Sequence, residues 1–404
     1  MPPRVAPLWL MGLTNSLFGM YGGVVLICVP LLLSRAHVPE TQIAATTAIG
    51  VSPGFWSFLF SPILDVRYSR RWYATLCAVA AAVLLVIALL NLEHLALVVW
   101  LLLGGYFFAC MYQSALGGWL SSITTTAQES RISSWVTIGN VSGGGIMAIT
   151  SGELTTRVSP TLAAFVLGAA VLLPIAVFPF MPAPPPDRRL ATESFGQFSA
   201  DVLKLLKRRE VLIAIVLFLA PAGTFSLTNF LGGLGEDFHA SSHFVSLVGG
   251  AGMLAGGIVG CLAYRFIDRW LPVRYLYLAI GLLGALFTLM MIVLPRDPLI
   301  FAVAFIGENA FQGLAITMSV AISFETIGTN NPLAATTFSL CSAAYNVPIT
   351  YMLLVDGWGY GKQGVAGGFG ADALAGLIAC VLLWALLWCV YRRSVPPVAV
   401  AGTT

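Results

Sequence analysis

The sequence predicts an all-α polytopic membrane protein with twelve transmembrane helices in two six-helix bundles, and three observations carry that prediction. Hydrophobic residues make up 58% of the 404 residues and charged residues only 9%, against roughly 25% charged in a soluble domain. Apolar runs near the roughly 20 residues that cross a bilayer recur twelve times between charged or Pro/Gly clusters. A loop carrying an acid and then bases appears twice, half a chain apart.

The first six runs are 8–33, 41–63, 72–92, 95–120, 132–152 and 160–181. The first is too long, and too poor in a small-residue cleavage site, for a removed signal peptide. Residues 1–181 form the expected N-terminal bundle. A linker, 182–210, follows: the stiff run from Pro182 to Asp187, then Phe198, Val202, Leu205 and Leu206 on one side of a short helix crowded by Lys204, Lys207, Arg208 and Arg209. That pattern predicts an amphipathic helix on the inner membrane face. The second bundle, 211–404, holds the runs 211–232, 243–264, 275–294, 299–324, 333–355 and 371–391. Pro53 and Pro348 predict kinks within their runs.

The net charge of +3 excludes nucleic acid as a natural partner and makes the lipid bilayer the expected one. Of the 20 Lys and Arg, only Arg35, Arg157, Arg296 and Lys362 fall on the side opposite the termini. The excess predicts cytoplasmic termini in a bacterial inner membrane. All seven cysteines sit in apolar runs without CxxC spacing and read as small apolar residues. His37, His94, His239 and His243 fall in expected outer loops. His239 and His243 with Glu236 and Asp237 lack the context of a metal site, and no cofactor is expected.

Gly252, Gly256 and Gly260 share one face of the eighth run, and Gly139 with Gly143 to Gly145 mark the fifth, which predicts close helix packing. The segment from Asp356 to Gly370 holds seven glycines and a formal GxGxxG at 359–364. It follows no strand, so it reads as a flexible outer loop.

Between the second and third runs, Asp65 precedes Arg67, Arg70 and Arg71; between the eighth and ninth, Asp268 precedes Arg269 and Arg274. The two aspartates are 203 residues apart, which points to duplication of a six-span unit. The pattern resembles the loop signature of the major facilitator superfamily, with Val66 standing where a base is usual. The resemblance implies that Asp65, Arg70, Arg71, Asp268 and Arg269 form a conformational latch on the cytoplasmic side.

Glu308 lies deep within the apolar stretch from Leu299 to Phe324. A carboxylate at that depth costs about 2.5–3.5 kcal/mol facing lipid, so it must face a cavity or a partner. It is a candidate for proton coupling or solute contact; the alternative is a structural glutamate satisfied by Asn309 and Gln312. Other polar groups inside the runs, Asn15, Tyr21, Tyr112, Gln113, Asn140, Asn229, Tyr345 and Asn346, join Asn309 and Gln312 as the expected lining of a central cavity. Amides and aromatic rings suit a small organic solute carrying sugar, peptide or aromatic groups.

The segment Phe305 to Asn309 with Gly313 resembles the Glu-Asn-x-x-x-Gly segment of AmpG-type muropeptide permeases and the related peptide–acetyl-coenzyme A–drug transporters. Phe60 to Asp65 resembles the same group's Trp-Ser-Pro-Leu-x-Asp. The acids that group carries in its fourth helix are absent from Tyr112 to Trp119. The resemblance implies import of a muropeptide-like or siderophore-like solute. No P-loop or phosphorylated-aspartate motif is present, so an ion gradient, with protons acting through Glu308, is the expected energy source. The expected molecule is a monomeric permease and not an enzyme, since no catalytic His pair or HExxH occurs. A drug exporter of the same fold and a non-transporting sensor are the rival readings.

Overall fold

The computed structural model describes residues 6–184, 195–328 and 331–392, and among these residues every regular element is helical. Eight of the helical stretches are long and apolar enough to cross a membrane. One of them, Ala334–Arg392, is a hairpin. Its 59 residues would reach about 88 Å as one rod, nearly three times the hydrocarbon thickness. The chain turns back at Gln363 and Gly364, where Gly364 adopts φ 59°, a conformation that glycine enters without a Cβ penalty. This hairpin supplies the eleventh and twelfth spans. The segment expected as an outer loop, Asp356 to Gly370, is therefore helical on both sides of a tight reversal.

Three further spans miss simple length or hydropathy criteria, for local reasons. The second runs through Glu40–Val51, Pro53–Trp56 and the tight turns Ser57–Leu59 and Ser61–Asp65, because Pro53 and Pro62 each remove a ladder donor. The fifth, Glu129–Arg157, is rich in Ser, Thr and Gly and packs inside the protein. The seventh stops at Leu219 after starting at Arg209, runs irregularly past Pro221, and resumes at Leu227–Phe230. The remaining spans are 8–35 (broken by a π turn at Val24–Cys28, just ahead of Pro30), Arg70–Leu90, Leu95–Ile123, 160–180, 242–267, Val273–Val293 and Pro298–Ile327.

Small residues set the helix spacing. A methyl at Gly19 or Gly23 would collide with the backbone of Asn140 or Gly144, which seats the first span on the fifth. Gly256 and Gly260 seat the eighth span on the tenth in the same way, against Ile306 and Ala310. Large apolar side chains such as Leu76, Val83, Val259, Leu283 and Leu382 are about half exposed or more and form the lipid-facing surface. The linker helix Phe195–Leu206 turns Val202 and Leu205 onto Val211, Leu333 and Leu340, while Leu203 is exposed. Its apolar residues are therefore divided between contacts with the second bundle and an exposed side. Phe198 and the run from Pro185 to Asp187, part of the expected linker, lie outside the described residues or side chains.

Candidate functional site

The first, fourth, fifth, eighth and tenth spans line a partly open cavity of about 280 Å³ between the bundles. Of the residues expected to line it, Asn140, Asn309 and Gln312 do. Phe18 and Tyr106, which sequence reasoning passed over, supply its aromatic wall, with ring centroids 5.7 Å apart. Tyr106 sits in the run Tyr106-Phe107-Phe108, where it reads as one more apolar residue. Phe18 could have been found from its helical spacing with Gly22, one turn further along the same face. No charged side chain lines the cavity.

The other expected lining residues are placed elsewhere. Asn15 donates to the Val136 carbonyl at 3.1 Å and ties the first span to the fifth. Tyr112 donates to the Thr14 carbonyl at 2.7 Å and stacks on Phe178. Tyr345 donates to the Gly223 carbonyl at 3.1 Å. These three brace helices. Tyr21 is fully buried behind Tyr106, with its hydroxyl unpartnered. Gln113 is half-buried and outside the lining. Asn346 borders Gly54 together with Tyr106, beside the cavity rather than in it. Asn229 is exposed, because the break in the seventh span redirects the helical turn that carries it.

Glu308 does not open into the cavity either. It is 2% exposed, accepts a short hydrogen bond from the Thr288 hydroxyl, and leaves Oε2 without a partner. Its neighbour Asn309 faces the cavity, so consecutive residues of the tenth span serve two different environments. Neither Asn309 nor Gln312 satisfies Glu308: Asn309 donates to the Phe305 carbonyl, and Gln312 donates to Thr228 Oγ1 at 2.9 Å and to the Phe225 carbonyl at 3.4 Å. Among the described residues, no cluster of His, Cys, Asp and Glu has the arrangement of a metal site.

At one end of the spans, Asp65 and Arg70 tie the two bundles together. Asp65 accepts from Arg70 Nε at 2.9 Å, from the backbone N–H groups of Ala335 and Thr336 at 3.1 and 2.8 Å, and from the Thr336 hydroxyl at 2.7 Å. A carboxylate thus caps the N-terminus of the eleventh span, where orphan N–H groups and the helix dipole favour negative charge. Arg70 also donates to the Asn331 and Pro332 carbonyls. Gly117 and Gly118 let the fourth span meet Phe338 and Ala335 at close range. The second loop is built differently. Arg274 pairs with Glu325 at 3.4 Å, and neither Asp268 nor the exposed Arg269 makes a side-chain hydrogen bond or ion pair among the described residues. Arg71 likewise makes none. The structure therefore engages only Asp65 and Arg70 of the five latch residues.

The Major Facilitator Superfamily model matches residues 9–234 and 213–403. Among solved structures, the human organic anion transporter MFSD10 (TETRAN) is similar at 17% identity and TM-score 0.68, covering 95% of this chain and 100% of that one. A variant of the E. coli fucose:proton symporter FucP is similar at 13% identity and TM-score 0.70, covering 95% and 98%. The proton:xylose symporter XylE is similar at 11% identity and TM-score 0.67, covering 94% and 95%. No curated protein matches the chain by sequence. The twelve-span fold and the family match lead to one conclusion: this chain belongs to the Major Facilitator Superfamily and is a membrane transporter.

Proposed function

We propose that this transporter is a proton-coupled importer of a small, uncharged organic solute across a bacterial inner membrane, acting as a monomer with cytoplasmic termini. The observation that carries the reading is the pairing on the tenth span of a cavity-facing amide, Asn309, with a buried carboxylate, Glu308, that has an oxygen to spare. Two consecutive positions of one helix then answer to solute and to proton. Amides from Asn140, Asn309 and Gln312 offer donors and acceptors, and the rings of Phe18 and Tyr106 offer stacking area, to a solute with hydroxyl or amide groups and one apolar face. The excess of Lys and Arg on the terminus-bearing side supports the orientation.

The AmpG-type resemblance at Glu308-Asn309 and at 61–65 supports import, and extends the solute class to muropeptide-like or siderophore-like compounds. At about 280 Å³ the cavity lies at the low end of ligand pockets, which run to roughly 1,000 Å³. A sugar–peptide fragment or a siderophore therefore requires the bundles to part further. The test is the thermal unfolding midpoint of purified protein with a panel of monosaccharides, amino acids, anhydro-muropeptides and siderophores. A true solute at about 100 times its dissociation constant stabilises by about 2.7 kcal/mol. Stabilisation by a single-ring solute supports the reading as stated; stabilisation only by muropeptides or siderophores moves it to the larger class. No shift with any member removes the proposed solute class.

A further inference from the structure

Asp356 lies about two helical turns before the 363–364 reversal and Asp372 about two turns after it, so the hairpin brings them to the same level of the second bundle. Ser226, in the irregular stretch of the seventh span, stands between them. Its Oγ is 2.6 Å from Asp356 Oδ2 and 2.8 Å from Asp372 Oδ1. Both are hydrogen-bonding distances, yet a serine hydroxyl has one hydrogen. If it donates to one carboxyl group, the other must carry a proton of its own and donate to the serine oxygen. Asp356 is fully buried, and its Oδ1 has no partner.

A separate helix adds an independent observation. Glu308 of the tenth span, 2% exposed and with Oε2 unpartnered, stands within electrostatic reach of Asp372 and Asp356. The neighbouring ninth and seventh spans contribute the neutral hydroxyls of Thr288 and Ser226, and Tyr360 is engaged by Asp237 at 3.0 Å. Among the described residues no Lys or Arg pairs with any of the three carboxyl groups. Two carboxyl groups that meet at one serine without a cation, out of water, are sustained by binding a proton.

We propose that Asp356 and Asp372 share a proton across Ser226 and, together with Glu308, form the proton-carrying site, linked to the solute cavity through the break in the seventh span. The proposal rests on the proton-coupled reading above. The link is physical. Gln312 lines the cavity and donates to Thr228 and to the Phe225 carbonyl, which flank Ser226. Phe225 is held at φ 47°, a left-handed conformation rare for a bulky residue. A solute that draws Gln312 inward releases 225–228 and moves the serine relative to the two aspartates. One proton adds to or leaves a carboxyl group, and no other bond forms or breaks.

The test is infrared difference spectroscopy of the bilayer-reconstituted protein during pH steps, reading the carbonyl stretch of protonated carboxyl groups. Asp356→Asn and Asp372→Asn should each remove the pair's band, and Ser226→Ala, which keeps both acids, should shift it. Glu308→Gln should remove a different band. Should an aspartate variant fail to fold, Ser226→Ala carries the test alone. Pair-variant spectra that superimpose on the wild type at every pH overturn the proposal. So does loss of the band on adding sodium chloride at fixed pH, which would make the occupant a metal cation. If Glu308→Gln changes nothing while the pair variants do, the role given to Glu308 above fails and the shared proton stands.

Discussion

Asp65 in the first bundle and Glu308 in the second are almost equally buried, at 1% and 2% exposed, yet their surroundings are opposite. Asp65 is met by a guanidinium, two helix N–H groups and a hydroxyl, so every lone pair it offers is answered. Glu308 has one hydroxyl and a free oxygen, and the charged groups that act on it are two more acids. A buried carboxylate that is fully answered has no lone pair to spare; one that is left short keeps the capacity to take a proton. Among the described residues, Asp65 is the only fully buried acid of the first bundle.

The largest expected effect tests the second half of that contrast. Glu308→Gln should abolish pH-driven accumulation in proteoliposomes while solute exchange continues; accumulation at the wild-type level would erase the distinction. Next comes the latch. Arg70→Ala leaves Asp65 buried without its cation, and removing one partner of a buried pair costs about 3–5 kcal/mol. The unfolding midpoint should fall sharply; an unchanged midpoint would show that the contact does no locking. Gln312→Ala removes a neutral hydrogen-bonding group from the cavity wall, and should weaken solute binding by about 1 kcal/mol, on the order of fivefold. Arg71→Ala and Arg269→Ala should change stability by no more than about 0.5 kcal/mol. An effect as large as that of Arg70→Ala would mean that charge on these loops matters without contacts.

Much of the architecture is legible in the sequence because lipid imposes a length and a polarity on every span. Glu308 stands out for the same reason, as an acid isolated in an apolar run. Asp356 and Asp372 are hidden because the segment around them is rich in glycine, which disfavours helix in water and signals a loop. In the folded chain those glycines serve the hairpin. A Cβ on Gly359 would strike the Gly367 carbonyl, so the two helices close together only without one. Asn229 misleads in the opposite direction: the run that holds it is apolar enough for a continuous helix, and only the tertiary course past Pro221 turns it outward. Arg70 and Arg71 are equivalent in composition. The packing of the third span admits one to the buried latch and leaves the other beside it.

Electrical recording decides whether a neutral solute and a proton travel together through sites one residue apart on the tenth span. Proteoliposomes adsorbed on a solid-supported membrane are given a jump in the uncharged solute found by the thermal panel, with no pH gradient. The account predicts a transient current carrying positive charge in the direction of the solute, lost in Glu308→Gln. A solute that stabilises the protein and enters the vesicles without any current would contradict it.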